Sequence, residues 1–158
     1  MLRSIMRFFL AVVLSVLGAY AVASVLATQL ILANVESMGL AVTMRDRLHA
    51  TNHDLFGLFP TYVPLLLIAF VIAMPVAVGL ARLLPKSATA LFVLAGFVAV
   101  LAIHLIMKQV LGLNGIAAVR EVHGLLSQAL AGAFGGYLYF VFSGRAFRKE
   151  EKISSPPL

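Results

Sequence analysis

The chain has 158 residues, of which 62% are hydrophobic and only 11% are charged. Soluble domains are nearer half apolar and a quarter charged, so this composition excludes an ordinary water-soluble enzyme. It also excludes a disordered polar segment and, because the chain has no cysteine, a disulfide-stabilised secreted module. The class that remains is an integral membrane protein.

Four long stretches of the sequence carry no charged side chain. Each is 21 to 28 residues long, and a helix needs about 20 apolar residues to cross the hydrocarbon core of a membrane. None of them shows the alternating polarity of a transmembrane β-strand. We therefore predict an all-α membrane four-helix bundle that forms a single domain. Its transmembrane helices are expected at about 8–33, 62–84, 88–108 and 118–143, and the tail 144–158 is expected to be partly disordered.

The N-terminal stretch has a second interpretation. Arg3 and Arg7 precede an apolar run in which Ala21-Val22-Ala23 resembles a signal-peptidase site. This run continues to Leu32, whereas the apolar core of a signal peptide has only about 7–15 residues. A retained first transmembrane helix is therefore favoured over a cleaved signal peptide.

Basic residues are unequally divided between the two sides of the predicted bundle. Both termini lie on one side, which carries eight of the twelve Lys and Arg residues, and the opposite, outer side carries four. Because loops rich in Lys and Arg stay in the cytoplasm, we predict a bacterial inner-membrane protein with cytoplasmic termini. The net charge of +6 then reflects topology and attraction to membrane lipids, and no nucleic acid partner is expected. Phe56, Phe59 and Tyr62 are expected at headgroup depth on the outer side.

Small residues recur at four-residue spacing in the predicted helices, so they lie along single helix faces. Such faces let helix backbones approach closely, which drives helix association in lipid. The pattern predicts tight packing within the chain, or against another membrane protein or a second copy. The candidate packing residues are Ala11, Ser15, Ala19 and Ala23 in the first helix, Ala69, Ala73 and Ala77 in the second, and Gly132 and Gly136 in the fourth.

The loop between the first two transmembrane helices contains a short helical pattern. Thr43 and Asp46 have the spacing of a capping box, and apolar residues then recur at helical period. We predict an amphipathic helix at about 44–58, lying on the outer face of the membrane. Asp46, His49 and His53 share one face of this helix and together form a set of ligands that suits a divalent metal. A solvated polar face explains the same three residues without a metal.

Two further histidines, His104 and His123, are expected near the outer ends of the third and fourth transmembrane helices. If they face each other across these helices, they form the axial ligand pair of a b-type haem. The alternative is that each forms an ordinary hydrogen bond to a backbone carbonyl, to Gln128 or to Glu121. No cofactor is the main expectation, and the haem and the divalent metal are its alternatives.

Catalytic chemistry has little support in the sequence. It contains no cysteine nucleophile, no Gly-x-Ser-x-Gly elbow and no Gly-rich phosphate loop. No charged residue lies mid-span, where an ion-coupled transporter needs one. We therefore favour a non-catalytic subunit, assembly factor or scaffold that works through helix–helix contacts. The alternatives are a haem- or metal-binding redox protein and a small carrier or binder of a lipid or quinone-like molecule.

Overall fold

A computed structural model of the protein describes residues 2–111 and 122–154, with side chains for residues 5–110 and 122–143. The described residues form five α-helices and one short 3₁₀ turn, which lies at Pro85–Ser87. The helices are α1 (Leu2–Ser37), α2 (Met44–Gly57), α3 (Phe59–Leu83), α4 (Ala88–Leu111) and α5 (Val122–Ser154).

Four helices of the described chain are long and apolar enough to cross a membrane, and the short α2 is the exception. The predicted all-α four-helix membrane architecture is therefore confirmed. The helix α5 continues to Ser154 and so includes most of the tail that we expected to be partly disordered. Residues 155–158 lie outside the described residues, as do residues 118–121 at the expected start of the fourth span.

The four long helices form a closed ring. α1 packs against α3 and α5, and α4 packs against the same two helices from the opposite corner. Neighbours in the ring run antiparallel because successive spans alternate in direction. One end of the bundle carries α2, and we call it the α2 end. The opposite end carries the 3₁₀ turn between α3 and α4, and we call it the turn end.

α4 and α5 meet at their glycines. A Cβ atom on Gly96 of α4 would collide with the carbonyl of Gly132 and lie 2.9 Å from the nitrogen of Gly136. A Cβ on Gly136 would in turn collide with the carbonyl of Phe92. The atoms in the way belong to the backbone, so only glycine allows this approach. The close contact gains dispersion energy in lipid, where hydrophobicity does not hold helices together.

A second close contact joins α5 to α1 and α3. A Cβ on Gly135 would lie 2.7 Å from the Cβ of Ala19 and 2.8 Å from Cζ of Phe70. Along α1, the predicted packing residues Ala11, Ser15, Ala19 and Ala23 are all buried inside the bundle. The small faces of α1 and α5 are therefore used within the chain.

The helix α2 begins at a capping box. The Thr43 hydroxyl accepts from the Asp46 backbone N–H, and the Asp46 carboxylate accepts from the Thr43 backbone N–H at 2.9 Å. These bonds from Thr43 satisfy the charged form of the carboxyl and hold the pKa of Asp46 below its ordinary value. The cap is therefore intact at neutral pH and weakens only when acid protonates this group.

Polar side chains fasten α2 to α1. The guanidinium of Arg47 donates to Gln29 at 2.8 Å and to Glu36 at 2.6 Å. The hydroxyl of Thr28 donates to the carboxylate of Asp54 at 2.8 Å. One edge of α2 thus lies against the end of α1, and the apolar side chains of Met44, Leu48 and Phe56 are left exposed. This arrangement suits a helix that lies in the membrane interface.

Candidate functional site

A buried polar cluster links all four transmembrane helices near the α2 end. Tyr62 of α3, His104 of α4 and Gln128 of α5 form it, and all three are at most 4% exposed. The Tyr62 hydroxyl donates to Oε1 of Gln128 at 3.1 Å and lies 3.4 Å from Nε2 of His104. Gln128 donates through Nε2 to the carbonyl of Ala23 on α1 at 3.0 Å.

The hydrogen-bond partners of this cluster determine which of its atoms carry a proton. Nδ1 of His104 lies 2.9 Å from the carbonyl of Val100, so this nitrogen carries the proton in the neutral ring. Nε2 is then an acceptor, as is Oε1 of Gln128. Tyr62 has one hydroxyl proton for the two acceptors, and the nearer is Gln128. These hydrogen bonds are all made within the chain, and they connect the four transmembrane helices to one another.

The predicted histidine pair has different environments in the structure. His104 is buried, whereas His123 lies exposed in the first turn of α5. Nε2 of His104 is the nitrogen that a haem iron would bind, and it faces the Tyr62 hydroxyl in the filled interior. The rings of Tyr62 and His104 also pack edge to face, with centroids 5.7 Å apart. Tyr62 therefore occupies the position beside Nε2 of His104 that a haem iron would need.

The predicted metal ligands Asp46, His49 and His53 all lie on α2, on the exposed side of the helix. The Asp46 carboxylate is engaged by Thr43, and Nδ1 of His53 lies 3.6 Å from the neighbouring Asp54 carboxylate. Within the described residues, no three His, Cys, Asp or Glu side chains come together in a group that would hold a metal ion. The structure therefore does not assemble these three residues into a metal centre.

A long apolar groove lies between α3 and α4, and we call it the α3/α4 groove. Its volume is about 560 Å³. On α3 the lining runs from Leu65 to Leu80, which at 1.5 Å per residue is a length of about 22 Å. Every residue in the lining is apolar. The lining therefore offers no side chain that would bind an ion or a polar group, and its surface is uniformly apolar.

The groove forms where the alanine-rich faces of α3 and α4 lie side by side without packing tightly against each other. Alanines from both helices line it, and the larger side chains Ile68, Ile72 and Leu94 beside them are 56 to 66% exposed. The predicted packing residues Ala69, Ala73 and Ala77 belong to this lining. Ala69 and Ala73 remain partly exposed on the outside of the bundle, whereas Ala77 is buried like the small residues of α1.

Two features of the site were missed by the sequence reasoning. Tyr62 was expected at headgroup depth, and its role as the donor of the buried cluster was not anticipated. The groove itself was not foreseen, although alanines spaced by four in α3 and by three or four in α4 are its signal. That signal indicates small faces and does not show whether they close on each other.

A search against models of protein families, curated proteins and solved structures found no match to this chain. Functional conclusions therefore rest on the geometry described above.

Proposed function

We propose that this protein is a non-catalytic membrane protein that binds the hydrocarbon chain of a lipid or quinone-like molecule in the α3/α4 groove. The observation that carries this proposal is the groove itself, an apolar concavity of about 560 Å³ that runs along two transmembrane helices. Small-molecule sites in proteins have volumes of about 300–1,000 Å³ and mostly apolar linings. The groove is within this range and is more uniformly apolar than most such sites.

Its dimensions suit an extended hydrocarbon chain. The length of about 22 Å exceeds the thickness of one lipid leaflet, which is about 15 Å, half of the hydrocarbon core. Because alanines line the groove, a chain can approach both helix backbones and gain dispersion contacts along its length. The uniformly apolar lining disfavours ions and polar solutes, since these would lose hydration without new partners.

The second candidate is a subunit, assembly factor or scaffold whose partner helix lies in the same groove. The observation in its favour is the four-residue spacing of Ala69 and Ala73, two partly exposed small residues that let another helix approach closely. The partner would be another membrane protein or a second copy of this chain. The small-residue faces of α1 and α5 are packed against other helices of the bundle. Within the described chain, the groove is the small-residue surface that remains for a partner.

Filling the groove tests both candidates. Ala69 of α3 and Ala102 of α4 both line it, and replacing both with leucine should expel a bound chain. We expect retained lipid or quinone mass to fall at least about tenfold in native mass spectrometry of protein released gently from its own membrane. Bound lipid should be lost because the two leucine side chains would fill the space in which a hydrocarbon chain makes its dispersion contacts with α3 and α4.

The matched control is Ala21→Leu, which makes the same chemical change at an exposed position of α1, outside the groove. It should retain the bound mass. Equal retention in the filled variant and the control would refute the groove as a lipid site. Loss of a bound polypeptide or of a dimer in the filled variant alone would establish the second candidate instead.

The proposal includes a bacterial inner-membrane location with cytoplasmic termini, supported by the excess of basic residues on the turn side. Because the chain has no cysteine, single-cysteine variants can report orientation. We expect a membrane-impermeant maleimide to label Asn52→Cys on α2 in intact spheroplasts. Ser87→Cys at the turn should react only after permeabilisation. The reverse pattern would show that the termini are outside.

A further inference from the structure

We propose that the molecule in the α3/α4 groove is an anionic phospholipid whose headgroup lies at the turn end, between Arg82 and Lys86. This inference rests on the proposed function of the groove and adds the identity of the headgroup. It follows from two features of the turn: its position and its charge.

The turn joins the two helices that form the groove. Arg82 lies two residues after Leu80, which lines the end of the groove nearest the turn on α3. Lys86 lies in the 3₁₀ turn that leads into α4. Both side chains are exposed. A lipid chain that leaves the groove at this end therefore emerges beside two basic side chains, both long enough to reach a phosphate at headgroup depth.

The charge at this end is uncompensated within the two helices. No Asp or Glu occurs anywhere between Asp54 and Glu121, a segment that contains α3, the turn and α4. The ion pairs that the structure shows lie elsewhere, between α1 and α2 and within α2. Basic residues between transmembrane helices are a common site for anionic headgroups. Two such residues at the mouth of a hydrocarbon groove therefore favour a negatively charged lipid over a zwitterionic one.

The basic side chains of α3, the turn and α4 are divided unevenly between the two ends of the groove. Arg82 and Lys86 lie at the turn end, whereas Lys108 is the one basic residue of this segment at the α2 end. The helix dipoles give no preference, because α3 and α4 are antiparallel and each end of the groove combines the start of one helix with the end of the other. The turn end is therefore the better site for a phosphate.

The experiment measures lipid selectivity with a defined probe. The full chain is reconstituted in vesicles of equal phosphatidylglycerol and phosphatidylcholine with identical acyl chains, then released for native mass spectrometry. We expect the bound lipid to be enriched in phosphatidylglycerol. Since each basic side chain near an anionic surface contributes about fivefold, Arg82→Gln/Lys86→Gln should reduce the enrichment about 25-fold while total bound lipid is largely retained.

Two comparison variants separate this inference from the proposed function. Arg45→Gln removes a basic side chain on α2 and should leave the enrichment unchanged. Ala69→Leu/Ala102→Leu should remove both lipids. If the Arg82/Lys86 variant keeps the wild-type enrichment while the filled variant still loses lipid, the headgroup assignment is overturned and the groove stands. If the filled variant keeps its lipid, the groove is overturned and the headgroup assignment with it.

Discussion

Gly96→Leu is expected to abolish the folded bundle. A side chain at this position would meet the backbones of Gly132 and Gly136, and backbone atoms cannot rotate away as a flexible side chain can. Overpacking of ordinary cores costs about 1–3 kcal/mol, and we expect a loss of more than about 3 kcal/mol here because the two helices must separate. Size-exclusion chromatography and thermal unfolding in mild detergent measure this effect.

The control for this prediction is Gly79→Leu, which makes the same chemical change in α3 where a new Cβ meets nothing within 4 Å. It should purify and unfold like the wild type. A Gly96→Leu variant with the wild-type unfolding temperature would show that α4 and α5 are not in backbone contact. For the same reason, substitutions of Gly132 and Gly136 test the fold of the bundle rather than the binding of a partner.

Tyr62→Phe is expected to destabilise the bundle without unfolding it. The change removes one hydroxyl and leaves Oε1 of Gln128 without its donor. An unsatisfied buried acceptor costs about 1–3 kcal/mol in water-soluble proteins, and interhelical hydrogen bonds in membranes reach about 1.7 kcal/mol, so we expect a loss of about 1–2 kcal/mol. Reversible unfolding in mixed micelles measures it.

A double-mutant cycle shows whether the loss comes from the Tyr62–Gln128 bond. Tyr62→Phe and Gln128→Leu should together cost less than the sum of the two single changes, because each removes the same bond. Tyr137→Phe is the matched control, since Tyr137 is 46% exposed. Strictly additive losses, or an equal loss in the control, would mean that the hydroxyl does not act through Gln128.

The transmembrane helices were predictable because membrane thickness sets the length of uncharged sequence that a span requires. The capping box also marked the start of α2, since its two residues act through neighbouring backbone groups. Both predictions depend only on residues close in sequence. They needed no knowledge of which helices become neighbours.

The contacts between helices were harder to predict, because they depend on the order of helices around the ring. The Gly132/Gly136 pair was visible as a motif, but its partner Gly96 is a single glycine that no spacing singles out. The burial of Tyr62 likewise depends on Gln128, which lies 66 residues away in the chain. His104 and His123 were both expected near the outer ends of their helices, yet His104 is buried in the bundle and His123 is exposed.

Photo-crosslinking tests the central claim, that hydrocarbon occupies the α3/α4 groove, most directly. The protein is reconstituted with a phospholipid that carries a diazirine on its acyl chain, irradiated, and mapped by peptide mass spectrometry. We predict adducts concentrated on groove residues such as Ile72 and Leu94, with few on Leu14 and Leu130, which lie exposed on α1 and α5. Adducts spread evenly over all of the exposed apolar residues would contradict the account.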